Sequence, residues 1–328
     1  MSIALMGIVS TSCNHDEDFS QNETKEIRTK SLSEQKELKK VANEIENLNK
    51  QFCNGMSNDS DIITRVGPVN NNTGKKVVVV SDAVGALVGA VKGGWAGGWI
   101  GGIIGAVYLG VKTSVKVAGV IATWNYVTEK PIKHNALDAN YLIISSGIPD
   151  SCYTAVSPDS IGFIHNDVAY EIFNDYDIYE YFDSLTTSEK NQFVDSIIEA
   201  KYPSLPSLVY VQHNPHSIIY DILTPYDSEY YDKAMDTAVS EALTCSSFKD
   251  YYEILETLYN VDSDEMNIMV SFVDGITNLD VNIPSSVYTA YAMNIINQST
   301  LNLDVKNRIK IAMITGNAST RLWKDESF

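Results

Sequence analysis

Catalytic punctuation is missing from this chain. It has no G-x-S-x-G elbow, no G-x-G-x-x-G turn, no Walker A loop and no H-E-x-x-H helix. That removes the sequence grounds for an esterase-type hydrolase, a dinucleotide enzyme, a P-loop nucleotidase or a zincin. Cysteine is scarce as well: four in 328 residues, with no C-x-x-C pair and no Cys/His cluster at zinc spacing. Beyond Cys13, the widely spaced Cys53, Cys152 and Cys245 cannot all pair internally, so no disulfide framework is expected and at least one is a buried thiol. The third shortage is basic charge. The formal net charge is −18; residues 1–133 hold 15 Lys and Arg against 13 Asp and Glu, and the rest of the chain holds 9 against 29. Phosphate neutralisation needs a basic surface, so nucleic acid is excluded as a partner, and the acidity of the C-terminal part serves solubility.

Metal chemistry is thinly supported. His213-Asn214-Pro215-His216 places two histidines three apart in a Pro-rich loop, with Asp221 and Asp227 downstream, and this reads as loop rather than ligand set. Residues 174–183, NDYDIYEYFD, lack the glycine and the terminal glutamate of an EF-hand loop; with Ile172, Tyr176 and Tyr179 they read as an amphipathic helix. No metal, no cofactor and no catalytic residue is assigned.

What the chain does have begins at its N-terminus. Ser2 to Val9 is a short apolar run, followed by Ser10, Thr11, Ser12 and Cys13. That order is the tail of a secretory signal, although the basic n-region is missing and the start reads as truncated. The small residues before the cysteine resemble a bacterial lipobox, in which Cys13 carries the lipid. The following Asp16, Glu17 and Asp18 look like the acidic tag that sends Bacteroidota lipoproteins to the outer face of the outer membrane. Residues 1–12 are then residual signal peptide and 13–31 a lipidated tether, polar and without apolar period, as a flexible stalk requires. Three acyl chains on Cys13, as the resemblance implies, exceed the two-signal threshold for stable anchoring at ~0.8 kcal/mol per buried CH₂.

Leu38, Val41, Ile45, Leu48 and Phe52 fall at spacings of three and four, which predicts one amphipathic helix over 32–53. Two heptads suit packing on a body better than an independent coiled coil. A break rich in Asn, Asp, Gly and Pro separates this helix from a glycine-zipper segment over 75–130. There Gly85, Gly89, Gly93, Gly97, Gly101 and Gly105 recur every fourth residue, with Trp95 and Trp99 also four apart. Between Lys92 and Lys112 lie 19 uncharged residues, about 28 Å of helix at ~1.5 Å per residue, close to the thickness of a bilayer core. Eight of them are glycine, and at ~1 kcal/mol each relative to alanine such a helix is unstable alone in water. The glycine face must therefore meet another backbone. Three readings stand: a helix that inserts in a bilayer or self-associates through this face, a helical hairpin packed inside a soluble body, or a loop around Gly93 to Gly102. Asp82 and Lys92 count against insertion, while Lys92, Lys112 and Lys116 can snorkel at the edges of a span.

From residue 135 to 328 the sequence reads as an acidic helical domain. Thr186 with Glu189 forms a capping box, and Phe248–Asn260, Glu265–Ile276, Ser285–Ile296 and Val305–Trp323 are further candidate helices. Seventeen of the 19 tyrosines follow residue 140, a distribution suited to half-buried helix faces. Gly162, His165 and Asn166 form a G-x-x-H-N element, expected just before a helix whose N-terminus Asn166 or Asp167 caps. His165 reads as a structural bridge between backbone groups in a buried corner, since no sequence feature names an acid or base partner.

In order, the lipobox, the Gly/Ala-rich stretch, Gly162 to Asn166 and the C-terminal helix Ile309 to Trp323 resemble a group of Bacteroidota surface lipoproteins of uncharacterised activity. Ala169 stands where a larger aliphatic is expected. The resemblance implies an address, a surface-exposed lipid-anchored protein of the outer membrane, and no activity. The fold expected is all-α: an acidic multi-helix body, a glycine-zipper helix or helical hairpin, and a flexible N-terminal tether. The partners expected are the membrane, through the lipid, and a second copy through the glycine face. Two functions stay open: a membrane-acting effector of bacteriocin or contact-dependent type, and a binding or structural lipoprotein whose glycine helix is internal packing.

Overall fold

A computed structural model describes residues 31–53, 71–127, 158–173, 229–244, 248–259, 263–280 and 282–323, with isolated positions between 181 and 201; side chains at 71–73, 92–104, 108, 119–127, 158–160, 173, 229–232, 241–244, 248–250 and 259 are outside this set. The described residues are helical and contain no strand, so the protein is all-α. Eight helices have defined bounds: α1 Leu32–Phe52, α2 Asn71–Val127, α3 Pro158–Phe173, α4 Glu229–Thr244, α5 Phe248–Tyr259, α6 Ser263–Thr277, α7 Ser285–Gln298 and α8 Leu303–Leu322.

Local chemistry sets the first ends. Ser31 caps α1 by accepting the Glu34 amide at 3.2 Å, and Asn302 caps α8 by accepting the Val305 amide at 2.9 Å. Each such cap satisfies an orphan N–H and is worth ~1 kcal/mol. Leu38, Val41, Ile45 and Leu48 on α1 are buried, so the stripe read from the sequence packs on the body, chiefly against α6 and α7. The capping box is present too: Thr186 and Glu189 exchange bonds, backbone N–H to carboxylate at 2.8 Å and backbone N–H to hydroxyl at 3.4 Å.

Helix α2 holds 57 residues, and a straight helix of that length would run ~86 Å. It folds back instead. Gly89 abuts Gly105, Gly85 lies against Leu109 and Thr113, and Ser114 donates to Asp82 at 3.2 Å. Residues 16 apart in a straight helix stand ~24 Å apart, so the chain reverses between the two arms, which run antiparallel. Each arm is buried round nearly its whole circumference, from Val77 to Ala90 on the first and across most of 105–118 on the second. A helix that is apolar on all sides belongs in the centre of a structure, and here α8, α4, α3 and α6 surround it.

The second central element is α8, in which every residue from Ala312 to Ser319 is buried. It packs against α2, α3 and α7. Close approach there depends on small residues: Gly316 faces Ala83 of α2, and Gly162 of α3 faces Ala318, where a Cβ on Gly162 would come to 2.8 Å. One hydrophobic core runs from Leu38 in α1 through the hairpin to Trp323. The hairpin is thus part of the same core as the C-terminal helices.

Polar ties lock the outer helices. Asn49 of α1 donates to the Ser271 carbonyl at 2.8 Å and accepts from the Tyr288 hydroxyl at 2.5 Å. Gly275 makes room for both, since a Cβ there would overlap the Tyr288 hydroxyl and the Asn49 amide. Arg308 of α8 grips the buried Glu265 of α6 through two bonds, at 2.8 and 2.5 Å. Lys76 pairs with Asp274 and Lys116 with Asp236, joining the arms of α2 to α6 and α4.

Two local expectations are corrected. The G-x-x-H-N element does not precede a helix: α3 begins at Pro158, whose fixed φ suits a first turn, so Gly162, His165 and Asn166 lie inside it and Asn166 caps nothing. Helix α4 was not among the expected helices, because its buried face is built from Met235, Ala238 and Val239, too small and too few to mark an apolar stripe.

Candidate functional site

The glycine rows are the natural place to begin. Gly85, Gly89 and Gly105 sit at the contact between the two α2 arms. A Cβ on Gly89 would overlap the Gly105 carbonyl, and one on Gly105 would overlap that of Gly89. The backbone each must meet is therefore the other arm of the same helix. Ala86, Ala90 and Ala106 fill the adjoining space with Ile311 of α8. Gly93, Gly97 and Gly101 lie within α2, but what faces them, and the side chains of Trp95 and Trp99, are outside the described set, as are Cys13, Asp16, Glu17 and Asp18 altogether. Among the described residues no helix is long and apolar enough to cross a membrane.

A polar node lies beside that contact, where four segments converge. Asp82 comes from the first arm, Ser114 from the second, His165 and Asn166 from α3, and Ser319 and Trp323 from the end of α8. Asp82, Ser114, His165 and Ser319 are each 0% exposed. Ser319 donates to Asp82 Oδ2 at 2.5 Å and Ser114 donates to the same oxygen at 3.2 Å, while the Trp323 indole stands close enough to favour the charged carboxylate. His165 Nε2 stands 3.5 Å from Oδ2 without a hydrogen bond to it, and Oδ1 has no hydrogen-bond partner either. On the far side of the ring, Nδ1 lies 3.0 Å from Asn166 Oδ1, and Asn166 Nδ2 donates to the Ala318 carbonyl at 2.9 Å. Gly110 closes the wall, with Thr315, the His165 ring and Ala86 at ordinary contact distance from where a Cβ would stand.

Burial dominates the electrostatics. It pushes the Asp82 carboxyl well above the usual carboxylate range, against the pull of Ser319, Ser114 and Trp323. It pushes His165 down to about 4, against hydrogen bonds to the Asn166 side chain and the Gly110 backbone. Both groups are thus driven toward their neutral forms.

The node contains serine, histidine and aspartate, but not the wiring of a nucleophilic triad. There the hydroxyl bonds the imidazole, which removes its proton, and the carboxylate stands behind. Here both hydroxyls bond the carboxylate, the imidazole faces Asn166 and Asp82, and none of them is open to a substrate. Metal binding is no better served: a resident ion needs more than one carboxylate and one imidazole, and no three His, Cys, Asp or Glu groups cluster among the described residues. The arrangement can hold four helical segments in register and can hold a proton.

No protein-family model, curated protein or solved structure matches this chain.

The sequence reading picked out His165 and Asn166, which the structure joins in one buried corner, with Asn166 serving the Ala318 carbonyl instead of a helix end. It missed Ser114, Ser319 and Trp323. Asp82 was visible as a lone carboxylate among valines, alanines and glycines, and that isolation is the signal of a buried partner. The partner's position, 83 residues downstream, depends on where the hairpin turns, and no local pattern states that.

Proposed function

We propose that this protein is a lipoprotein of the outer-membrane surface, anchored through Cys13, whose acidic helical body acts as a binding or structural module. In this reading the glycine-faced hairpin is internal packing. The observation that carries it is the backbone contact of Gly89 with Gly105 inside the core, which uses the glycine face within one chain. The address rests on Ser10-Thr11-Ser12-Cys13 and the Asp16-Glu17-Asp18 run. Metabolic labelling with an alkyne fatty acid in a Bacteroidota host tests the anchor: label on the wild-type protein and none on Cys13→Ser is expected, with the wild type digested by protease added to intact cells. Label that survives Cys13→Ser, or protection from the protease, sinks the address.

A second reading keeps the anchor and makes the body a sheath for a membrane-active hairpin. It is favoured by one observation, that the described faces of both arms are mostly valine, alanine, leucine and glycine and nearly all buried. Dye release from anionic liposomes separates the two. Packing predicts no leakage at micromolar protein, while leakage abolished by Gly97→Leu establishes the membrane-acting effector.

A further inference from the structure

The buried node poses a protonation question that its hydrogen bonds answer. Asn166 Nδ2 is committed to the Ala318 carbonyl, so its Oδ1 faces His165 Nδ1 as an acceptor, and Nδ1 carries a hydrogen. In a neutral ring Nε2 then presents a lone pair, and it presents it to Asp82 Oδ2, 3.5 Å away. Two acceptors 3.5 Å apart, both shielded from solvent, repel. One proton between them removes the repulsion, whether written as carboxylic acid and imidazole or as carboxylate and imidazolium. Zero protons leave a lone buried anion and two leave a lone buried cation, each strongly disfavoured away from solvent.

We propose that Asp82 and His165 form a one-proton clamp: the pair holds a single proton, stays net neutral, and so ties both arms of the hairpin to α3 and α8 with a strength that acid does not change.

The charged groups on the surrounding elements have partners of their own. Lys116 on the second arm pairs with Asp236 of α4, Lys76 on the first with Asp274 of α6, and Lys201 with Asp167 and Glu171 of α3. On α8, Lys310 donates to Asn297 and Arg308 to Glu265, while Tyr251 of α5 shares a hydrogen bond with Ser81 beside the node. The groups that bond the pair directly, the Ser114 and Ser319 hydroxyls, the Asn166 amide and the Gly110 backbone, do not titrate.

The two titrations oppose each other. His165 is depressed from 6.5 to about 4, so the stability that its neutral form contributes is present above 6.5 and lost as pH falls toward 4. Asp82 is raised above 3.8, so its contribution is present below that value and lost as pH rises through the folded value. Between about 4 and 6.5 the unfolded chain carries one proton on the histidine and the folded pair also carries one, so no proton is exchanged on unfolding. Each group alone is pH-sensitive, and together they are not.

Urea unfolding of the full-length wild type, Asp82→Asn, His165→Gln and the double variant at pH 4.5, 5.5, 6.5 and 7.5 tests this. Referring each protein to the double variant cancels every other titration. Asp82→Asn is expected to lose roughly 40-fold in folding equilibrium between pH 6.5 and 4.5, the slope for the uncompensated histidine approaching tenfold per pH unit below 6.5. His165→Gln is expected to lose stability in the opposite direction, as pH rises, and the wild type to stay level from 4.5 to 6.5. Four parallel profiles would overturn the clamp, as would a wild type whose stability changes tenfold per pH unit in that window. If a single variant fails to fold, ¹⁵N spectra of the His165 ring in the wild type decide: one unchanged protonation state from pH 5 to 7 supports the clamp, and ordinary titration near 6.5 refutes it.

Discussion

Gly89→Ala and Gly110→Ala are the same chemical change at two glycines of one helix, and the structure gives them opposite signs. In a helix interior, alanine in place of glycine reduces the entropy lost on folding and gains ~1 kcal/mol. At Gly110 that gain is realised: the new Cβ would meet Thr315 Cγ2 at 3.4 Å, His165 Cδ2 at 3.5 Å and Ala86 Cβ at 3.6 Å, all ordinary contacts. At Gly89 the new methyl would overlap the backbone carbonyl of Gly105, and backbone cannot rotate aside as a side chain can. The arms must separate by more than 1 Å, on the order of the gap needed to restore van der Waals contact, and the contacts along them weaken. Overpacking of that kind costs about 1–3 kcal/mol and at a backbone contact lies at the upper end. The net expectation is a loss of about 2 kcal/mol for Gly89→Ala and a change between zero and a gain of about 1 for Gly110→Ala. Urea unfolding followed by far-ultraviolet circular dichroism, in the full chain with Cys13→Ser as background, measures both. Equal shifts of the two midpoints, or a stabilised Gly89→Ala, would refute the hairpin contact.

Three further outcomes follow from other crossings. Gly162→Ala places a methyl 2.8 Å from Ala318 Cβ; it is expected to destabilise by about 1 kcal/mol in the same assay despite its better helix propensity. Arg308→Ala strands the Glu265 carboxylate, which is 2% exposed, and is expected to cost about 3 kcal/mol, whereas Glu265→Leu with Arg308→Leu removes both charges and costs less; a double variant worse than the single contradicts this. Burial pushes the Cys53 thiol up to about 11, which leaves almost no thiolate near neutrality. Iodoacetamide at pH 8 followed by peptide mapping is expected to leave Cys53 unmodified in the folded protein and to label it fully in denaturant.

Helix positions with a dense apolar stripe were legible in the chain itself. Leu38, Val41, Ile45 and Leu48 announced both α1 and its inward face, and the bounds expected for α5, α6, α7 and α8 stand within two residues of those observed. Residues 105–118 and 77–90 were harder, because a helix buried on all sides has no periodic contrast to read. The glycine spacing stated that a backbone must approach, and left open which. The answer is nonlocal: Gly89 finds Gly105 only once the chain has turned, and Asp82 finds His165 and Ser319 only once α3 and α8 have closed over it. Asn166 shows the opposite error. Its residue type suggested a cap, while its side chain serves a carbonyl on α8 across 152 residues.

The placement of α8 sets a timetable for making the protein. Asp82 and the Ser319 hydroxyl that binds it are 237 residues apart in the chain. At the usual synthesis rate of about 5–20 residues per second, the apolar hairpin emerges roughly 10–50 s before its last cover exists. Throughout that interval Asp82 and Ala83 have no α8 to pack against. A product that stops short of residue 303 lacks the helix that carries Gly316 and Ser319, and so leaves Ala83 and Asp82 without the partners that cover them.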